Sequence, residues 1–368
     1  MIVKNEKDVI TACLKSVLPV IDTWLIVDTG STDGTQQVIK DFFKDIPGEL
    51  HERPWVNFGY NRQEALELAK HKADYLLFMD ADDQLAFDKD FKMPPLTKDF
   101  YVIASRRENE EEFWIHRLIR ANLGWHWEGA IHEDLYCHDY VEGTQLPGVL
   151  YLYMHHGDRA KNPDTWKKDV DILLDAIKKD PNNPRNYFYL ARSYQNGADL
   201  PRSLEYYQKR ADMKIGNPEE IFLSMLSLAK IQSMLKMDQK TVEQSLVNAY
   251  LFRPHRIEPL YYLANGYRVQ GKYQKAYEIA SYANGLPKNP NEFLAIEKWI
   301  YDYGLLFELA FGANHTGHYS EGVKICSGLL TLKDIPDSHR KEIETLYNTL
   351  LQRNVEDIKE KVLSILSK

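Results

Sequence analysis

Five residues, Met79-Asp80-Ala81-Asp82-Asp83, constrain this chain more than any other stretch. They gain meaning from Val27-Asp28-Thr29-Gly30-Ser31-Thr32-Asp33-Gly34-Thr35, about fifty positions earlier. Each closes an apolar run, residues 24–27 in one case and 75–78 in the other. Short apolar runs bounded by turn residues read as buried parallel strands. In open α/β sheets the ligand lies beyond the carboxyl ends of the strands. Two acidic loops at two such ends predict one shared site, suited to a metal and a diphosphate.

Asp80, Asp82 and Asp83 crowd one tight turn, and their mutual repulsion calls for a compensating cation. A hard divalent ion, Mg2+ or Mn2+, suits carboxylate and diphosphate oxygens. The structural alternative is that these acids cap a helix or solvate a turn. The apolar run before them and the second acidic loop favour the metal site. Asp28 ends its own run, and the Gly30 turn allows close approach of a ligand to the backbone. A carboxylate there can accept the imide N–H of uracil or bind a ribose hydroxyl. Asp33 or Thr32 is expected to cap the helix that opens at Thr35.

The whole-chain quantities bound the rest. A length of 368 residues predicts two or three domains. A net charge of −8 and a pI near 5.9 argue against nucleic acid as a partner. Cys13, Cys137 and Cys326 are too few and too scattered for a disulfide framework or a zinc site. The apolar start is broken by Lys4, Asn5 and Glu6, so no signal peptide is expected. No uncharged apolar run reaches the length of a transmembrane segment, so the expectation is a soluble, cytoplasmic protein.

Two halves differ in character. Up to about residue 152, strand-like runs (1–3, 24–27, 75–79, 101–105, 112–119 and 149–153) alternate with helical stretches (8–17, 35–43 and 61–70). That alternation predicts an α/β sheet, with later strands mixed in direction. Asn162-Pro163-Asp164 then opens a nearly all-helical tract, its first helix capped by Asp164 or Asn162. Leu190-Ala191-x-x-Tyr194 recurs as Leu263-Ala264-x-x-Tyr267, 73 positions on and so about two units of a mid-thirties period. Gly197, Gly271 and Gly317 fall at turns, and Pro184, Pro218, Pro259 and Pro290 at boundaries. These features resemble tetratricopeptide (TPR) repeats, although Ser203 and Arg210 stand where alanine is usual; a generic helical-hairpin array is the alternative. The expected domains are 1–158, α/β and catalytic, and 159–368, an all-α repeat domain. Paired tyrosines of the second half, such as Tyr206-Tyr207 and Tyr261-Tyr262, read as core.

Met1-Ile2-Val3-Lys4-Asn5-Glu6, the Val27–Thr35 stretch, Asn57-Phe58-Gly59-Tyr60-Asn61-Arg62 and Phe78-Met79-Asp80-Ala81-Asp82-Asp83 together resemble a family 2 glycosyltransferase of the GT-A fold. The likeness spans most of the first 155 residues, though the chain begins inside the family's first strand, leaving a stub. It implies a Rossmann-like catalytic domain that transfers a sugar with inversion from a nucleoside diphosphate donor, with manganese or magnesium at the D-x-D. A UDP-linked hexose, UDP-glucose for instance, is the commonest donor in such a family. Asn5, Glu6 and Asp28 would hold the nucleoside, Asp80 the ribose or metal, and Asp82 the metal. Asn61 and Arg62 begin a helix suited to phosphate. Within Trp127-Glu128-Gly129-Ala130-Ile131-His132-Glu133-Asp134 the likeness implies the base, Glu133 first and Asp134 second, with His132 orienting it or touching phosphates. Arg117 is a further candidate for donor or acceptor. His155, with His156 as alternative, would close the metal site. Helical repeats would recognise the acceptor (protein, glycan or lipid) or a protein partner. Two rivals remain: a non-catalytic repeat scaffold with a decayed transferase domain, and a sugar nucleotidyltransferase, which should carry a glycine-rich loop where residues 1–16 contain no glycine.

Overall fold

The computed structural model describes residues 1–107, 113–154, 156–157, 159, 162–287 and 296–367. They form two compact units, Met1–Asp199 and Leu200–Lys368. The first unit thus holds the α/β sheets and also the first pair of helices, α4 (Thr165–Lys179) and α5 (Pro184–Asn196).

In the first unit β1 (Ile2–Val3), β2 (Trp24–Asp28) and β3 (Gly48–Glu52) make a parallel three-stranded sheet in the order β1-β2-β3. Helix α1 (Ile10–Val17) turns Ile10, Cys13, Leu14 and Val17 inward, the i, i+3, i+4, i+7 spacing of an amphipathic helix. Helix α2 (Thr35–Phe42) adds Ile39, fully buried beside Val3, Ile10 and Ile26. A five-stranded mixed sheet has the order β4-β7-β6-β10-β5, from Tyr75–Leu77, Phe113–Arg120, Phe100–Arg107, Gly143–Tyr153 and Gln84–Phe87 respectively. A hairpin of β8 (Trp125–Glu128) and β9 (Asp134–Cys137) completes the unit. Helix α3 (Phe58–Ala69) packs on β8 and β2.

Sequence and structure part at β4. Its apolar run predicts a buried parallel strand, yet it is a half-buried edge strand, antiparallel to β7. β1 is the edge of the other sheet, the short stub its sequence predicts. A cavity of about 820 Å³, lined among others by Met1, Leu14, Leu77, Leu118, Glu49 and Lys72, adjoins both edges. Just past β4, Met79 belongs to the core under the five-stranded sheet and Ala81 to the core under the three-stranded one. The acidic turn is therefore pinned from two sides.

The second unit is an array of antiparallel helices, each packed on the next in sequence: α6 (Leu200–Met213), α7 (Pro218–Met234), α8 (Gln239–Phe252), α9 (Glu258–Val269), α10 (Tyr273–Asn284), α11 (Leu305–Thr316), α12 (Tyr319–Leu330) and α13 (Asp337–Leu366). Ala264, Ala276, Ala280, Ala283, Ala310 and Ala313 are buried at these contacts, where a small side chain lets two helices approach. Asn217 caps α7 with Pro218 just inside, and Gly317 ends α11 in a left-handed turn. Tyr207, Tyr261 and Tyr303 are core, whereas Tyr262 is half-buried and donates to Glu297. Ser203 and Arg210, out of place in a small-residue pattern, are both fully buried, and Arg210 faces the buried Glu220. No described helix is long and apolar enough to cross a membrane.

Arg256 and Glu258 form a fully buried ion pair, its closest approach 2.6 Å, and the Tyr301 hydroxyl donates to the same carboxylate at 2.7 Å. Removing one partner strands the other charge. Arg256→Met is expected to lower unfolding free energy by about 3–5 kcal/mol, and Arg256→Met/Glu258→Leu to recover most of it, as chemical denaturation would read. A double variant no better than the single would remove the ion pair as the cause.

Candidate active site

The nucleoside-binding expectation begins at Asp28, which ends β2 and is buried. One oxygen, Oδ1, accepts from the Gly30 and Ser31 N–H groups (2.9 and 2.8 Å) and from Gln36 Nε2 (3.2 Å). The other, Oδ2, is buried with no hydrogen-bond partner among the described residues. Such an acceptor costs free energy until a donor reaches it. Asn5, in a left-handed conformation, accepts from the Thr32 N–H (2.8 Å), which joins the β1 and β2 loops. Asp33 accepts from the Thr35 N–H and hydroxyl and from the Lys7 N–H, the structural role its position predicts.

The three acids of the turn have three different settings. Asp80 forms ion pairs with Arg62 and with Arg117 (3.1 Å). Burial works against ionisation here, but the two guanidiniums prevail and hold the Asp80 carboxyl well below the usual range. A quarter of its side chain is still exposed, so these contacts rather than depth decide its charge. Asp83 points inward: it accepts from the Tyr151 hydroxyl (2.8 Å) and the Met154 N–H (3.0 Å), while burial, then Asp80, push its pKa up to about 7. Asp82 accepts from the Gly157 N–H (2.9 Å). A Cβ on Gly157 would lie 2.9 Å from Asp82 Oδ2 and 3.0 Å from Glu6 Oε1, so two carboxylates converge where only glycine fits. Part of the compensation that the sequence assigns to a metal thus comes from the chain's own arginines and tyrosine.

Arg62 connects this turn to the expected base. It lies over the Trp127 ring (5.3 Å) and pairs with Glu133 as well as Asp80. Glu133 is 9% exposed at its side chain. Arg117 also donates to the Tyr153 hydroxyl (3.2 Å) and covers the Tyr151 ring (4.7 Å). Tyr151, Tyr153 and Trp127 were not singled out by sequence; the alternation of Tyr151 and Tyr153 along one strand is the signal that places both on one face.

Other expected residues lie elsewhere. Asn61 is a correction: it is fully buried, accepting from the Val56 N–H (3.0 Å) and donating to the Pro54 carbonyl (3.0 Å), so its amide braces the loop before α3. Asp134 pairs with Arg185 of α5 (2.6 Å), and the His132 ring stacks on Tyr189 (4.3 Å between centroids). His155 lies outside the described residues, and His156 is exposed. Among the described residues no group of three acids, histidines or cysteines forms a ready metal cluster. Asp82, with Glu6 beside it, nevertheless offers the hard oxygen ligands that a divalent cation takes alongside substrate phosphates.

Two expectations follow. Gly59 sits in the first turn of α3, where a Cβ would fall 1.9 Å from the Gly129 carbonyl oxygen. Gly59→Ala should displace the loop before Glu133 and cost about 1–3 kcal/mol, read as a lower denaturation midpoint; an unchanged midpoint would refute this packing. Burial, then Arg192, Arg159 and Arg185, push the His132 pKa down to about 4. Although the residue as a whole is exposed, its ring lies against Tyr189, and the three guanidiniums add to the effect of that burial. A folded-state pKa below the unfolded one means that stability is lost as pH falls from about 6.5 through 4. Proton NMR titration should find His132 below 6.5, and Arg192→Met or added salt should raise it; a normal, salt-independent value would count against this field.

Comparison with known proteins places likenesses in both halves of the chain. Residues 1–142 match the model of glycosyl transferase family 2. The SPbeta prophage-derived glycosyltransferase SunS of Bacillus subtilis (strain 168) and the glycosyltransferase SunS of Bacillus phage SPbeta are each 24% identical over 243 residues, 62% of this chain. The chain spans 56% of the length of these relatives. Among solved structures, MamA is 16% identical over 56% of this chain and 99% of its own (TM-score 0.35). A tetratricopeptide repeat protein from Parabacteroides merdae ATCC 43184 is 17% identical over 54% of this chain and 73% of its own (TM-score 0.37). Over residues 1–142, the region that carries the acidic turn and the Arg62–Glu133 pair, this chain is similar to glycosyl transferase family 2.

Proposed function

We propose that the protein is a metal-dependent glycosyltransferase that moves a hexose, with inversion, from a nucleoside diphosphate donor to an acceptor hydroxyl. The observation that carries this is the ion-pair network through Arg62, which holds the acidic turn and a shielded carboxylate, Glu133, on one guanidinium. Asp28 Oδ2 receives an N–H or O–H of the nucleoside, and an imide N–H favours uridine. Arg62 and Arg117 supply positive charge for the diphosphate. Asp82, with Glu6 close by and His155 as a further candidate, would hold Mn2+ or Mg2+. When bound, the ion neutralises charge on the departing diphosphate.

Glu133 accepts the proton of the acceptor hydroxyl. The acceptor oxygen bonds to the anomeric carbon as the bond from that carbon to the diphosphate breaks, and the nucleoside diphosphate leaves with the electron pair. The helical unit recognises the acceptor or a protein partner, since stacked hairpins present extended surfaces.

A panel of nucleotide sugars tested with and without manganese should give metal-dependent release of a nucleoside diphosphate from one donor. Asp82→Ala should abolish it, and Glu133→Gln should lower kcat by about 10²–10⁴ while donor affinity persists. Release from no donor, together with no donor binding by calorimetry, would refute the transferase reading.

A further inference from the structure

The loop that carries Glu133 is held from two sides within the first compact unit. On one side α3 supports it: the Phe58 N–H donates to the Ala130 carbonyl (3.1 Å), Gly59 meets Gly129, and Arg62 pairs with Glu133. On the other side stands α5. Arg185 donates from Nη2 to the His132 carbonyl (2.8 Å) and pairs with the Asp134 carboxylate (2.6 Å), so it grips the residues immediately before and after Glu133. Its guanidinium lies over Tyr189 (4.9 Å), and Tyr189 in turn stacks on the His132 ring. His132 is left-handed, with φ of 51°, a conformation that a non-glycine residue keeps only where its surroundings impose it.

The position of α5 is itself fixed. Asn183 caps it, accepting from the Arg185 N–H, and Phe188, Leu190 and Ala191 bury its inner face. Arg159, which lies over Phe58 of α3, makes two bonds to Asp169 of α4 (2.6 and 2.7 Å). The helix pair is thus tied to the same first turn of α3 that supports the loop from the opposite side. Both contacts to the loop converge on one nitrogen, Nη2, while the planar guanidinium lies over Tyr189, a stacking that a lysine ammonium does not reproduce.

We propose that Arg185 is a positioning residue for Glu133, and that the first helical hairpin, residues 165–196, works as part of the transferase machinery rather than as the first unit of the repeat array. The inference rests on Glu133 being the base. In this arrangement His132 and Asp134 are the handles by which α5 holds the loop, and Glu133 alone takes the proton. A loop released from Arg185 leaves Glu133 paired with Arg62 on one side only, and misplacement of a base by an ångström is enough to slow transfer.

The test uses the full chain with Arg185→Met, Arg185→Lys and Tyr189→Leu, read by steady-state kinetics on the active donor and by amide hydrogen exchange across residues 129–134. Arg185→Met should lower kcat at least tenfold with donor KM within twofold of wild type, and should accelerate exchange in this loop alone. Arg185→Lys, which keeps the charge and loses the planar stacking on Tyr189, should recover part of kcat. A kcat within twofold of wild type in Arg185→Met, or an unchanged loop exchange rate, would overturn the proposal. Should Arg185→Met fail to fold, Arg185→Lys and Tyr189→Leu give the same two readings. Should wild type turn over no donor and bind none, the transferase reading fails on its own account, and loop exchange still decides whether Arg185 holds the loop.

Discussion

One guanidinium organises the first unit's chemistry. Arg62 emerges from the first turns of α3, lies over Trp127 and touches carboxylates from two otherwise separate segments, the acidic turn after β4 and the loop between β8 and β9. Without it, Asp80 and Glu133 would bring two negative charges into a poorly solvated region. Arg117 reinforces it from β7, held against Tyr151 and Tyr153. Both guanidiniums are thus fixed in place by carboxylates and aromatic rings of the chain itself.

The acidic turn shows how chemically equivalent residues come to have different surroundings. Asp80 faces two arginines, Asp83 faces a tyrosine hydroxyl and a backbone N–H, and Asp82 faces the small space left by Gly157. The anchors Met79 and Ala81 alternate with the acids and belong to different cores, so neighbouring residues along the turn point to different surroundings. Through Met154 and Gly157, the same turn fastens the chain segment that leaves β10.

Much of this was legible in the residue order. The apolar runs ending at Asp28 and before Asp80, the stub at β1, the change to helices beyond residue 162 and the Leu-Ala-x-x-Tyr repeat all record local periodicity, which a chain displays openly. What sequence missed depends on contacts between distant segments. Nothing local distinguishes Asn61, whose amide is spent on Val56 and Pro54, from Arg62, which reaches the site one residue later. β4 reads as a buried strand from its composition, and only its pairing with β7 reveals an edge. Residues 165–196 look like the start of the repeats by spacing, yet they pack in the first unit because Arg159, Arg185 and Tyr189 find partners there. The grip of Arg185 on His132 and Asp134 crosses about fifty positions of sequence, a range no periodicity encodes.

The charges inside the second unit limit how freely its helices could be rearranged. Arg210 reaches from α6 to Glu220 of α7, Arg268 from α9 to Glu308 of α11, and Tyr301 from the turn before α11 back to Glu258. Repeat proteins held only by alanines and leucines can gain or lose a hairpin by duplication or deletion, because every junction resembles the others. In this array each of these junctions has its own charge partner, supplied by one particular later helix. Excising a hairpin would bring unlike halves together, leaving an acid or an arginine enclosed by apolar side chains. The array has the outline of a modular solenoid and the wiring of a single fixed-length domain.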